Sequence, residues 1–117
     1  MLPNNVTLLS TERFIEGGKS SASFENFNLA LHVNDRAENV LANRSILRNH
    51  YDLPSEPVWV NQTHSSICIN ASLNDSLVEA DASFTSRPGI VCGILTADCL
   101  PVFITKKNGT MVGIDLN

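Results

Sequence analysis

A hydroxyl, a carboxylate and a thiol stand almost side by side in Thr96-Ala97-Asp98-Cys99. Apolar runs at residues 90–95 and 100–105 flank them. Each run has strand length and is rich in Val, Ile and Phe, so each reads as a largely buried strand. Pro101 fixes the backbone just after the cluster. Polar groups set between two buried strands cost free energy unless they find partners, and a metal or a substrate would supply them. His64 closes another strand candidate, where its imidazole would project toward a loop face. Imidazole and thiolate are common zinc ligands, and a catalytic zinc typically keeps three protein ligands and a water. His64 and Cys99 are therefore candidate metal ligands. The same pair also permits a thiol nucleophile at Cys99 with His64 as its base. Residue type does not decide between these roles. Plainer readings stand beside them: a hydrogen-bonded histidine and a buried cysteine acting as a small hydrophobe. Asp98 can orient a ligand, transfer a proton or cap a turn, and Asp81 has the same readings. Cys68 and Cys92 lie inside apolar runs and read as buried small hydrophobes.

The elements that must position these groups follow from the pattern. Residues 6–10 suggest a short strand, and residues 16–23, with Gly17-Gly18, a polar loop. Residues 27–33 alternate as a strand does. Asp35 with Glu38 three residues on forms a capping-box pattern, which predicts a helix from Arg36 to about His50. Val40, Leu41, Leu47 and Tyr51 share a helix face, Ile46 borders it, and Arg44 reads as a surface or helix-packing residue. Pro54 and Pro57 make a connector. Strands are expected over residues 58–64 and 67–70, followed by a polar exposed segment at 72–79. The small-residue segment 80–85 leads to a turn at Arg87-Pro88-Gly89. Asn108-Gly109 predicts a type I′ hairpin into a last strand at residues 110–115.

Composition narrows the classes. A chain of 117 residues, 43% of them hydrophobic, is at most one domain and too apolar to be disordered. A net charge of −4 gives no basic face for nucleic acid. No apolar run approaches the roughly 20 residues that span a bilayer, and the first residues lack a signal-peptide pattern. The expectation is a cytoplasmic protein without nucleic-acid or membrane partners. Three cysteines, unevenly placed, argue for reduced thiols. One helix against five or six strand candidates leaves a sheet face without cover, a pattern that reads as the first half of a larger domain.

Three blocks carry a resemblance: Pro57-Val58-Trp59-Val60-Asn61-Gln62-Thr63-His64, Ala80-Asp81-Ala82, and Thr96-Ala97-Asp98-Cys99-Leu100-Pro101-Val102. They resemble the motif series of the YfiH-like family, also called the multicopper polyphenol oxidase or laccase-domain family. Gly17-Gly18, Asn28-Leu29, His32, Asp35 and Asn43-Arg44 agree in order and spacing, and the resemblance extends over about residues 11–113. It implies an α/β fold, a sandwich of mixed β-sheet flanked by helices, similar to the catalytic domain of cytotoxic necrotizing factor. It implies phosphorolysis of adenosine, inosine, guanosine and methylthioadenosine, with adenosine deamination alongside, so the partners are a purine nucleoside and phosphate. It implies zinc, or copper, held by His64, by Cys99 and by a further histidine of a downstream His-Ala-Gly-Trp-Arg-Gly motif. Asp98 and Cys99 are then the catalytic candidates.

The chain departs from the family pattern in several places. The His-Ala-Gly-Trp-Arg-Gly motif is absent, and Leu116 stands where its histidine would fall. Asp115 offers an oxygen, but alternation along a strand turns it to the other face. Asn34 and Ser65 replace glycines, and Ile15 replaces an arginine. The expectation is therefore the N-terminal portion of one YfiH-like domain, residues 1–117, without its C-terminal half. It is either an enzyme completed by a complementary C-terminal fragment, or an inactive remnant or binding fragment. A thiol hydrolase built on Cys99 and His64 is a further alternative.

Overall fold

The computed structural model describes residues 2–31, 33–74, 77–96 and 100–116. They form two units, Leu9–Leu53 and Met1–Leu8 with Pro54–Asn117.

In the first unit the α-helix α1 (Ala37–His50) carries Val40, Asn43, Arg44 and Leu47 on its buried face. These positions follow the i, i+3, i+4, i+7 spacing of one helix stripe. Leu41, expected on that face, is 54% exposed, and two polar residues take the place that apolar patterning assigned to it. The helix starts one residue later than expected. Its N-cap is Arg36, which makes no side-chain capping bond. Asp35 does not cap because its carboxylate accepts hydrogen bonds from the Ser20 hydroxyl, the Asn28 amide and the Arg36 backbone N–H. Glu38 pairs with Arg36 instead of closing a capping box. At the other end Asp52 takes a left-handed conformation, φ 53°. Leu53 N–H then donates to Arg48 C=O at 3.0 Å, the six-to-one bond of a Schellman ending.

Residues 27–31 and 33 do not form the expected strand. Phe27 and Leu29 are buried, as the alternation implies, but their backbone partners are not a neighbouring strand. Asn43 donates to Asn28 C=O at 2.9 Å, and Arg44 donates twice to Leu29 C=O, at 2.9 and 2.7 Å. Residues 6–10 likewise lie outside any sheet. The polar loop contains a 3-10 turn, Ala22–Phe24. Gly18 is needed there because a Cβ would come within 2.6 Å of Asn26 C=O.

The second unit holds six strands among the described residues: β1 (Val58–Trp59), β2 (Cys68–Asn70), β3 (Ala82–Thr85), β4 (Cys92–Gly93), β5 (Pro101–Thr105) and β6 (Val112–Leu116). β1 and β4 pair in parallel. The other four form a mixed sheet in the order β2-β3-β6-β5, parallel at β2–β3 and antiparallel elsewhere. The chain is thus mixed α/β, with mixed sheets and one α-helix among the described residues. Trp59, Val60, Ala71, Ala80 and Ile114 form the buried apolar part of this unit.

Two expectations for the strand pair around the reactive cluster are corrected. β4 is only two residues long, and β5 is an edge strand whose Val102, Phe103 and Ile104 are exposed. A run of apolar residues reports strand propensity; Val102 and Ile104 lie on one face of β5 and Phe103 on the other, and all three are exposed. The β5–β6 turn is also not type I′. Gly109 N–H donates to Lys106 C=O at 2.9 Å, and Gly109 is left-handed at φ 70° while Asn108 is not. This is a type I turn followed by a glycine in the left-handed region.

Candidate functional site

The Gln-x-His segment leaves β1 and turns at His64. Two side-chain devices hold it. Gln62 extends the β1–β4 pairing: its amide donates to Leu95 C=O at 2.7 Å and accepts from Leu95 N–H at 2.8 Å. Residue 62 is thereby tied to the segment that runs on toward Asp98 and Cys99. Asp81 holds the turn itself. One carboxylate oxygen accepts from His64 N–H at 3.2 Å. The other accepts from Thr63 N–H at 3.3 Å, Ser65 N–H at 2.6 Å and the Ser65 hydroxyl at 2.7 Å. Thr63 also donates to Glu79, at 3.0 Å.

Asp81 is 2% exposed. Its own backbone is anchored, donating to Ile67 C=O at 3.1 Å and accepting from Leu116 N–H at 3.0 Å. Burial alone pushes its carboxyl pKa up. The hydrogen bonds from the Ser65 hydroxyl and from the backbone of Ser65, Thr63 and His64 outweigh that and hold it below the ordinary carboxylate value. Asp81 is therefore an ionised acceptor committed to the turn.

His64 is exposed and sits in the left-handed region at φ 61°. That conformation is uncommon for a residue with a Cβ. Among the described residues no hydrogen bond is made by its imidazole. Asp98 and Cys99, the other candidates for metal binding and catalysis, lie outside the described residues, as does His32. No group of three His, Cys, Asp or Glu that could hold a metal occurs among the described residues. The described residues thus provide one candidate donor, His64, and do not by themselves fit the zinc or copper that the resemblance implies. Asp81, the carboxylate nearest the His64 backbone, is already committed to four hydrogen bonds.

The remaining cysteines are not the buried small hydrophobes expected of them. Cys68 is exposed and Cys92 half-buried. Partial burial, and for Cys68 the Asp115 carboxylate, pushes the Cys68 thiol up. Burial also raises Cys92, with the Ser83 hydroxyl offsetting only part of the effect and Cys68 adding to it. Neither is an activated thiolate. A concavity of about 360 Å³ lies on the four-stranded sheet, lined by Ile67, Phe84, Ile104, Met111 and Ile114 among others. It does not include His64. It is apolar sheet surface and not the chemistry the motifs point to.

In the first unit the matching motif residues converge on one another. Asn43 accepts from Lys19 N–H at 2.8 Å and donates to the Ser20 hydroxyl at 2.9 Å, and Ser20 donates to Asp35. Asn28, Asp35, Asn43 and Arg44 therefore form a connected polar network in this unit, with Asn43 and Arg44 buried. Sequence reasoning singled out His64. It missed what Gln62, Ser65 and Asp81 do together, since those contacts span 16 to 33 residues. The available signal was a carboxylate set between two alanines, too small to shield it, in a segment otherwise suited to burial.

The family model for multi-copper polyphenol oxidoreductase laccase matches residues 8–115. A Haemophilus influenzae protein named purine nucleoside phosphorylase is 40% identical over 111 residues, 95% of this chain and 45% of that protein. The Escherichia coli purine nucleoside phosphorylase YfiH is 37% identical over 111 residues, again 45% of its length. The chain thus spans about half the length of these relatives. Among solved structures, a Neisseria meningitidis protein superposes with a TM-score of 0.77 at 36% identity, covering 86% of this chain and 41% of that one. The Bacillus licheniformis YfiH protein gives 0.78 at 26% identity, with 86% and 42% covered. With nearly its whole length matched by the family model and its fold shared with YfiH proteins, the chain belongs to the multi-copper polyphenol oxidoreductase laccase (YfiH) family.

Proposed function

We propose that the chain serves a purine nucleoside phosphorylase. In that reaction an oxygen of phosphate bonds to C1′ of the nucleoside and the bond from C1′ to the purine nitrogen breaks. Ribose 1-phosphate and the free base leave, the base carrying away a proton. The observation that carries the proposal is the 40% identity, over 95% of this chain, to the Haemophilus influenzae protein of that name. The roles proposed are Asp98 in proton transfer to the departing base, and His64 and Cys99 as two donors for zinc, with copper the alternative. Adenosine, inosine, guanosine and methylthioadenosine are the proposed substrates, with adenosine deamination a further activity of the same site. A partner segment carrying the His-Ala-Gly-Trp-Arg-Gly motif would add the third donor, and the setting proposed is the cytoplasm, where thiols stay reduced. The Gln62 and Asp81 hydrogen bonds support the reading because they order the segment on which His64 sits.

The test is release of hypoxanthine from inosine by the purified chain, alone and mixed with a segment carrying the His-Ala-Gly-Trp-Arg-Gly motif, with and without phosphate and with zinc added. Phosphate-dependent release that falls at least tenfold in Asp98→Asn is the expected result. No release even with that segment present, or release equal without phosphate, overturns the proposal and leaves a binding or inactive fragment as the reading.

A further inference from the structure

We propose that Asp81 is a positioning residue: its carboxylate fixes the Thr63-His64-Ser65 backbone so that His64 keeps its left-handed conformation and projects its side chain from one fixed Cα–Cβ direction. The inference rests on the phosphorylase reading only for the reaction that His64 serves, since the positioning itself is a property of the turn.

Three observations converge on it. First, the carboxylate receives the N–H groups of three successive residues and one hydroxyl, at 2.6 to 3.3 Å. Three successive amides aimed at one anion are the geometry of a backbone nest, here filled by an internal carboxylate in place of a bound anion. Second, the residue at the centre is a histidine at φ 61° with no glycine's freedom. A strained conformation persists only when its surroundings over-determine it, and such strain collects at functional sites. Third, Asp81 is itself immobile, 2% exposed and bonded through its backbone to residues 67 and 116. The imidazole it positions is exposed, so the constraint falls on the backbone and leaves the ring open to a ligand.

The chemistry of the carboxylate makes the inference testable. Asparagine has one acceptor oxygen, so in Asp81→Asn either His64 N–H or the Thr63–Ser65 group faces an NH₂ that cannot accept. Ser65→Ala is milder, removing one of the four bonds and sparing the carboxylate. The experiment measures amide hydrogen exchange by NMR for the 117-residue chain and both variants, together with kcat and KM for phosphate-dependent base release. Expected are at least tenfold faster exchange at one or more of the Thr63, His64 and Ser65 amides in Asp81→Asn, a smaller change at Ser65 in Ser65→Ala, and unchanged exchange at Phe103 and Ile114 in the β5–β6 ladder. The kcat is expected to fall more than tenfold with KM changed less than twofold. Unchanged exchange at all three turn amides overturns the positioning role. Acceleration spread equally to Phe103 and Ile114 also overturns it, showing Asp81 to be a general stability element. If the turn amides respond as expected while no variant, nor the parent chain, releases base, the positioning role stands and the phosphorylase reading falls.

Discussion

His64 is where residue-scale physics and proposed function conflict. A left-handed conformation costs a residue with a Cβ about 1–2 kcal/mol relative to the right-handed alternative, and glycine escapes most of that. His64→Gly is therefore expected to raise the unfolding free energy by up to about 1 kcal/mol, read by urea denaturation, while abolishing any activity that uses the imidazole. A loss of stability would mean that the imidazole itself holds the fold. Asp35 offers a second residue-scale prediction. Burial raises its pKa, but the Ser20 hydroxyl, the Asn28 amide and the Arg36 N–H lower it more, so the folded value lies below the unfolded one. The stability this contributes is fully present above the unfolded carboxylate value, about 4, and is lost as pH falls through the folded value. Denaturation midpoints should decline below about pH 4, and Asp35→Asn should flatten that decline. An identical acid profile for the variant would remove Asp35 from the account. The site itself was legible in part at this scale. The Gln-x-His and Ala-Asp-Ala blocks stood out by residue type, whereas the carboxylate-to-amide bonds joining them were not readable, because spacing along a chain says nothing about which backbone N–H groups a distant side chain will meet.

The elements show what patterning reports and what it omits. Alternation at residues 27–33 marks Phe27 and Leu29 as buried, which they are, and also Leu31 and Val33, which are exposed. It does not reveal that Asn43 and Arg44 of α1 would take the carbonyls that a strand partner would have bonded. The helix itself was readable from its periodicity, but its start was misplaced because Asp35 had a stronger set of partners than the helix N-terminus offered. Helix and hairpin endings give a paired prediction. Asp52 occupies the left-handed position that glycine favours at a Schellman ending, and Gly109 already occupies its counterpart in the β5–β6 loop. Asp52→Gly should stabilise by up to about 1 kcal/mol. Gly109→Ala should destabilise by about 1–2 kcal/mol, with the Asn5 side chain having to move aside for the new Cβ. Thermal denaturation of the two variants checks both signs, and the same sign for both would refute the backbone argument.

At the scale of the molecule, the balance of strands and helix was legible, and so was the surplus of uncovered apolar surface. Val102, Phe103 and Ile104 on edge strand β5 are exposed, and an apolar concavity marks the four-stranded sheet. The chain spans about 45% of the length of the relative it matches at 40% identity. Among the described residues no helix is long and apolar enough to cross a membrane. What the polar devices of the second unit do is order the His64 turn and tie its strand to the segment leading toward Asp98 and Cys99, through Asp81 and through Gln62.

The central claim is that this ordered histidine serves phosphorolysis of a purine nucleoside. The most direct test is chromatographic detection of base released from inosine by the purified chain and by His64→Ala, each with and without phosphate, with bound zinc quantified in the same samples. The account predicts release that requires phosphate and drops at least tenfold in His64→Ala. Release that ignores phosphate, or that His64→Ala leaves intact, would contradict it.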